Sequence, residues 1–498
     1  MNTPFTATTN HAISHMNVGD GIEPITVIGT EDIRNGFDPT CLEQARNSRL
    51  APGVSHLVLN PDAHGGYGAP IGCVLASPTH IYPGPVGVDI KCSMSLLQMD
   101  IPEEELRNKS VRRAIINAIC ERTPTGAGKG QRSVRKSRRV SRALGKQVAL
   151  EGASFGVCDQ LGIPPDWATK CEDAFHVGFD GTAGTLGERL DVLLASGLFP
   201  TFESKVEQLG SYGGGNHFGE CEIVRIAEGA REQAVAETFG LMDRRAAFLS
   251  HCGSRGFGFQ LANHQFNTLQ TQFAAKGWAY PGNDKELVYA ELGTNEANDY
   301  ICDMSLGANF ATVNHLLINA LVLEAFQEVL PGTTGHLVYF ISHNIARKEQ
   351  VGNQEMWVHR KGATRAFPAQ HEGLLNTPFY ETGHPILLPG NPQDGSAVMV
   401  ANPDAVQSLY SVNHGAGRAM GRRAAMRTLN QSDVDASFDT KDILTNCRTY
   451  PLDEAPAAYK DFSEVLRSVE EAGLATQVAK LKARFVIKDS DKSLRGAA

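Results

Sequence analysis

No Cys-x-x-Cys pair occurs in this chain. Its ten cysteines are scattered over positions 41, 73, 92, 120, 158, 171, 221, 252, 302 and 447. That spread argues against a zinc finger or a disulfide framework and points to a reducing compartment. Long uninterrupted apolar runs are missing too, and the opening residues lack the charged start and apolar stretch of a secretion signal. A soluble cytoplasmic protein with no membrane partner is therefore expected. Nor is positive charge in excess: 46 Lys and Arg against 55 Asp and Glu leave a net charge of −9. A polyanion would have to be held by a local basic strip. No internal repeat and no low-complexity linker divides the chain.

What is abundant is glycine, 50 of 498 residues, gathered into short motifs between amphipathic segments. Such motifs suit loops that approach a ligand closely. The first follows a short strand, residues 56–60, expected to stop at Pro61. There Pro61-Asp62-Ala63-His64-Gly65-Gly66-Tyr67-Gly68 carries one acid and one imidazole, residue types that fit a solvated turn equally well. In Gly87-Val88-Asp89-Ile90-Lys91-Cys92 a carboxylate and a thiol stand three apart. Together they suit a divalent ion, although a free cysteine is more often a small buried hydrophobe. Residues 103–121 have helical spacing. The stretch Thr123 to Gly130 looks slightly like a phosphate loop but lacks the Gly-Lys-Ser/Thr of a Walker A motif. Arg132, Arg135, Lys136, Arg138, Arg139 and Arg142 form the densest positive run, either a solvated face or a strip for an RNA backbone. Residues 170–208 read as helix and connector with little chemistry.

The same design then recurs. Gly213-Gly214-Gly215-Asn216-His217-Phe218-Gly219-Glu220 opens a strand, and apolar residues 246–250 lead into His251-Cys252-Gly253-Ser254-Arg255-Gly256. Residues 301–330 are expected to form a long amphipathic helix. On it Asn309 and Asn314 line a pocket or cap the polar face, and His315 reads as a satisfied core histidine. The apolar strand 337–341 delivers Ser342-His343-Asn344. The loop from His359 to Pro368 holds Arg360, Lys361 and Arg365, cations that suggest anion binding or simply face water. After a strand and turn at 386–390 comes Ser396. In Asn413-His414-Gly415-Ala416-Gly417-Arg418, small residues leave backbone N–H groups uncovered, so a phosphate could be cradled while Arg418 adds a forked charge. The tail reads as a helix at about 463–472 and a strand near 484–488.

Asp89, Cys92, His217, His251 and His343 make five ligands, enough for one tetrahedral ion or for two ions sharing the thiolate. His414 is left over, and a neutral imidazole is a competent nucleophile toward phosphorus.

Taken in order, the motifs around Asp62, Asp89 to Cys92, Gly213 to Phe218, His251 to Gly256, Ser342 to Asn344, His359 to Pro368 and His414 to Arg418 closely resemble those of the RtcB family of RNA ligases. The resemblance implies a mixed α+β fold: a single large body, residues 51–498, behind an N-terminal extension of residues 1–50. Strands would deliver metal ligands to a central cleft, with helices outside. It further implies a GTP- and manganese-dependent ligase that joins an RNA 3′-phosphate or 2′,3′-cyclic phosphate end to a 5′-hydroxyl end, in RNA repair or tRNA splicing.

On that pattern Asp89, Cys92, His217, His251 and His343 hold two Mn²⁺ ions, with Cys92 bridging. His414 attacks the α-phosphorus of GTP, and Asp62 helps to deprotonate the 5′-hydroxyl. Asn216, Glu220, His343, Asn344, Ser396, Gly415, Ala416, Gly417, Tyr459 and Lys488 would bind GTP, with Glu220 and Lys488 at the guanine. Arg255, Arg360, Lys361, Arg365 and Arg418 would contact phosphate or RNA. An archease-like activator is a candidate partner. Gly65, Val88, Lys91 and His315 depart from residues common in the family. The competing readings are a metal-dependent cyclic phosphodiesterase without ligation and a non-catalytic RNA-binding factor using the basic run.

Overall fold

The computed structural model describes residues 4–131 and 140–489. Of the basic run, residues 132–139 lie outside the described residues, whereas Arg142 pairs with Glu203 at 2.7 Å. The architecture is mixed α+β, built on two large sheets.

One sheet has eight strands. Its path runs Gly335–Ser342, Ser93–Pro102, Arg245–Cys252, Phe218–Ile226, Ala475–Lys488, Gly395–Ala401 and Pro385–Asn391, with Leu444–Thr445 beside Ala475–Lys488. Alternation along the strands gives it two apolar faces. Leu97, Cys221, Phe248, Phe340 and Phe485 face a helical layer, while Leu96, Val224, Leu249, Val398 and Leu481 fill the other side. The second sheet has seven strands, and Phe5–Ala7, Ile13–Met16 and Ile25–Ile28 belong to it. It packs Val58, Val74 and Val358 against Ile386, Leu388 and Met399 of the first sheet. The chain upstream of residue 50 is thus joined to the body by strand pairing, Thr26 opposite Val58.

The helical layer is organised by Asn295–Val329, capped by the Thr294 side chain on Ala297 N. It packs against Arg255–Lys276, Lys109–Cys120, Arg142–Glu151 and Ala183–Ala195. Among the described residues it is the one helix long and apolar enough to cross a membrane, and 94% of its apolar window is buried within the protein. It is a core helix, buried on all sides rather than amphipathic as expected. Its polar residues are clamps. Asn309 holds the backbone of Ala149 and His176, Asn314 holds Gly210 and Gly253, and His315 is satisfied by Ser95 and by Cys252 O at 2.8 Å.

Other sequence boundaries shift for identifiable reasons. The strand from His56 does not stop at Pro61 but continues to His64. A register irregularity between Leu59 and His64 accommodates the proline, which has no N–H to give a regular ladder. The tail strand is Ala475–Lys488, much longer than expected, because it pairs along both neighbours.

Candidate metal and nucleotide site

Four adjacent strands each present one side chain at the same edge of the eight-stranded sheet. His343 follows the end of Gly335–Ser342, Cys92 precedes Ser93–Pro102, His251 lies next to the end of Arg245–Cys252, and His217 precedes Phe218–Ile226. The register pairs Ser342 with Ser93, Met94 with His251 and Phe218 with His251. Spacing between paired strands therefore sets the spacing of the ligands. Asp89 joins through a tight turn, closed by Cys92 N–H donating to Asp89 O at 3.1 Å. Gly253 faces it so closely that a Cβ there would lie 2.3 Å from Asp89 Oδ1.

The donor atoms converge. Cys92 Sγ lies 3.2 Å from His251 Nε2 and 3.5 Å from His217 Nε2. His251 Nε2 is 3.3 Å from His343 Nε2, and His217 Nε2 is 2.8 Å from Asp89 Oδ2. Two triads result, Cys92–His251–His343 and Asp89–Cys92–His217, and they share the thiol. Burial, reinforced by the neighbouring imidazoles, pushes His251 and His343 well below the ordinary histidine range, so both are neutral. Burial would raise Asp89, but His217 and the contacts with His217 and Cys92 outweigh it and hold the carboxyl below its usual value. Burial and Asp89 push the Cys92 thiol well up. Neutral imidazoles, an ionised carboxylate and a buried thiol fit a divalent cation, provided the thiol proton leaves on binding.

His414 stands beside this cluster, its ring centroid 5.0 Å from that of His343. Local pairing puts it there: Ala363 N–H donates to His343 O, and Ala363–Arg365 pairs with Ser411–Asn413, Ala363 opposite Asn413. Asp62, fully buried on the irregular stretch of its strand, accepts His414 N–H at 3.1 Å and meets Nδ1 at 2.6 Å. Lys460 fixes that stretch through Pro61 O and Ala63 O. Gly417, at φ +71°, passes where a Cβ would lie 2.3 Å from Asp62 O, a position only glycine fits.

Next to the cluster a narrow cleft is lined by Phe218, Glu220, Ser396, Tyr450, Tyr459 and Lys488, with Glu454 and residues 389–392. Lys488 Nζ pairs with Glu454 Oε2 at 3.0 Å, and Tyr459 donates to the same oxygen at 2.7 Å. Burial would raise Glu454, but Lys488 and Arg422 bring it down to about 2.

The expected residues are not all equally placed to meet a ligand. Asn216 is exposed at the rim, its carbonyl bonded to His251 Nδ1. Asn344 fastens Asp89 O to Gly362 N. In the loop from Gly415 to Gly417 the row of free N–H groups is incomplete, because Ala416 N–H already donates to Pro389 O. Arg418 lies over the Tyr459 ring and bonds Asp453 O.

Arg360 is buried in a two-pronged pair with Glu349, at 2.7 and 2.8 Å. Arg365 pairs with the buried Glu172 at 3.0 Å, and Lys361 is bonded to Tyr67 O and Ala69 O. Arg255, at φ +54°, binds Ser211 and the carbonyls of Gly126 and Lys129. These four cations brace the walls of the site. The segment read as a connector supplies Glu172 and Asp173, which hold Arg347 and Arg365. Sequence reading missed Glu454 and Lys460, although they lie five residues before and one after Tyr459, and it missed Glu222, two residues after Glu220.

Fold and site together define a mixed α+β protein with a buried, thiol-centred cluster of candidate metal ligands between a histidine–aspartate pair and a narrow cleft. Comparison with known proteins agrees. Residues 44–489 match the family model described as "tRNA-splicing ligase RtcB", and the chain belongs to the RtcB family of RNA ligases. Proteins named tRNA-splicing ligase RtcB share its length: that of Archaeoglobus fulgidus is 33% identical, covering 91% of this chain and 92% of its own. That of Nanoarchaeum equitans is 32% identical, covering 90% and 91% respectively.

Proposed function

We propose that this chain is a GTP- and manganese-dependent ligase joining RNA 3′-phosphate or 2′,3′-cyclic phosphate ends to 5′-hydroxyl ends through a guanylylated His414. The observation that carries the reading is the Asp62–His414 pair at the edge of the ligand cluster. A carboxylate on Nδ1–H fixes the tautomer that leaves the Nε2 lone pair free. Among the described residues no hydrogen bond occupies Nε2.

A 3′-phosphate has no good leaving group. His414 Nε2 would form a bond to the α-phosphorus of GTP as pyrophosphate leaves, and the imidazole gains positive charge that Asp62 balances. A 3′-phosphate oxygen of the RNA then takes the GMP from His414, and the 5′-hydroxyl displaces GMP to make the phosphodiester. A cyclic phosphate is first opened to the 3′-phosphate. Asp62, its Oδ2 already engaged by His414, acts here as the orienting acid rather than as the base for the 5′-hydroxyl.

Asp89, Cys92, His217, His251 and His343 would hold the two ions, whose bound charge would neutralise the phosphoryl oxygens. Thiolate and imidazole by themselves favour zinc or cobalt, so manganese rests on the family. Glu220, Ser396, Tyr459 and Lys488 would take the guanosine.

Incubation with GTP and Mn²⁺ followed by intact mass measurement tests the reading. The expected result is one GMP per chain, mapped to His414 and absent from His414→Ala. A protein that opens cyclic phosphates yet never gains this mass is a phosphodiesterase, and the proposal fails.

A further inference from the structure

The stretch that carries Asp62 steps out of register with its neighbour. Pairing between His56–His64 and Ile71–Ser77 sets Leu59 opposite Cys73 and next His64 opposite Ile71, skipping residues 60–63. Carbonyls along such an irregularity need donors from elsewhere when they are buried. Here side chains meet three in a row. His64 Nδ1–H donates to Asp62 O at 2.9 Å, while the Lys460 ammonium donates to Pro61 O at 3.0 Å and to Ala63 O at 2.8 Å. Lys460 also reaches the other half of the histidine–aspartate pair: its backbone N–H donates to Gly417 O at 3.0 Å, in the loop that follows His414.

A further contact comes from the N-terminal segment. Lys460 Nζ stands over the ring of the buried Phe37, 4.8 Å from its centroid. The next residue, Asp38, accepts Gly65 N–H at 3.1 Å and caps helix Pro39–Arg49 through Cys41 N–H at 2.9 Å. Gln44 on that helix bonds both the N–H and the C=O of Gly66. Phe37 and Asp38 precede the stretch that matches the family model, residues 44–489.

We infer that Lys460 is a positioning residue for the nucleophile: braced by Phe37, its ammonium and its backbone N–H lock the Asp62 stretch to the His414 loop and so keep Asp62 on His414 Nδ1. This rests on His414 being the group that attacks GTP. A lysine that serves a phosphate keeps its N–H groups for the ligand, whereas two of the three here are given to carbonyls and the ring covers a further side. The brace has no slack, because Gly417 passes so close to Asp62 O that a Cβ would lie 2.3 Å from it. Movement of either segment is therefore passed to the other.

The test uses the full chain with Mn²⁺ and GTP and compares wild type, Lys460→Met, Phe37→Leu, Asp62→Asn, and Lys460→Met combined with Asp62→Asn. Methionine keeps the apolar stem and removes the donors. Adduct formation in a single turnover at saturating GTP is expected to slow about 10- to 100-fold in Lys460→Met and about two- to five-fold in Phe37→Leu. Bound metal and half-saturating GTP stay within about two-fold of wild type. Added to Asp62→Asn, Lys460→Met costs less than about three-fold more, since both act through one contact. A second readout needs no turnover. Nitrogen NMR of protein labelled in its histidine rings, with His414 assigned by the signal missing from His414→Ala, shows a hydrogen-bonded Nδ1–H in wild type that is lost in Lys460→Met.

A Lys460→Met protein with the wild-type rate and the wild-type His414 signal overturns the inference, as does a loss that multiplies in full with that of Asp62→Asn. If Lys460→Met does not fold, Phe37→Leu carries the test, and a wild-type rate in that variant removes the brace. A wild-type protein that gains no GMP, while its His414 signal still responds to Lys460→Met, removes the GTP reading and leaves the bracing in place.

Discussion

Replacing Asp62 by asparagine isolates the feature on which the chemistry turns. The carboxylate is buried, and one oxygen, Oδ2, serves both the His414 backbone N–H and Nδ1. Asparagine keeps the volume but loses the charge, and its NH₂ can point at Nδ1, favouring the tautomer whose proton sits on Nε2. A hydrogen bond to a charged acceptor contributes about 1.5–3 kcal/mol, equivalent to roughly 10- to 150-fold. Tautomer reversal at a histidine–aspartate pair extends the loss to about 10⁴-fold.

Asp62→Asn is therefore expected to form the GMP adduct about 10² to 10⁴ times more slowly while binding metal and GTP as wild type does. Quenched-flow mass spectrometry of the adduct, alongside metal analysis, measures both. A variant within about three-fold of the wild-type rate would refute the claim that this contact sets the state of His414.

Two further outcomes follow from the same geometry. Cys92→Ser should lose metal from both triads, because they share its sulfur, and elemental analysis reads the ratio directly. With Cys92 intact, metal binding should release about one proton, since the thiol is raised and His251 and His343 are already neutral. Calorimetry in buffers of different ionisation enthalpy counts that proton. Glu454→Gln strands the buried Lys488 without its acid, while Arg422 keeps Asp453, and should cost about 3–5 kcal/mol in urea unfolding at pH 7. Because the folded carboxyl is depressed from 4.5 to about 2, its contribution is present above pH 4.5 and is lost as pH falls through about 2. The variant should show a shallower acid decline over that window.

Much of the centre was legible before the fold was. Cys92, His217, His251 and His343 each stand beside an apolar run that ends near glycine or asparagine, and strands that end together bring such residues together. Asp62 was legible as a residue but not as His414's partner, because that contact depends on strand pairing between remote segments. Arg360 and Arg365 looked like anion ligands because Glu349 and Glu172, which neutralise them, are not marked by any local motif. Helix Asn295–Val329 was read as amphipathic from polar residues that turn out to be clamps inside the core. Periodicity reports polarity, and here burial was decided by hydrogen-bonding partners.

The one-ligand-per-strand arrangement also dictates when a metal can arrive. Residues 92, 217, 251 and 343 are remote in the chain and meet only after four strands have closed their ladders. Contacts of such long range form late, so an ion cannot template this polypeptide as it does a zinc finger. The apo form should emerge from synthesis already folded, and loading becomes a separate step, governed by whichever cation the cell supplies to a finished protein.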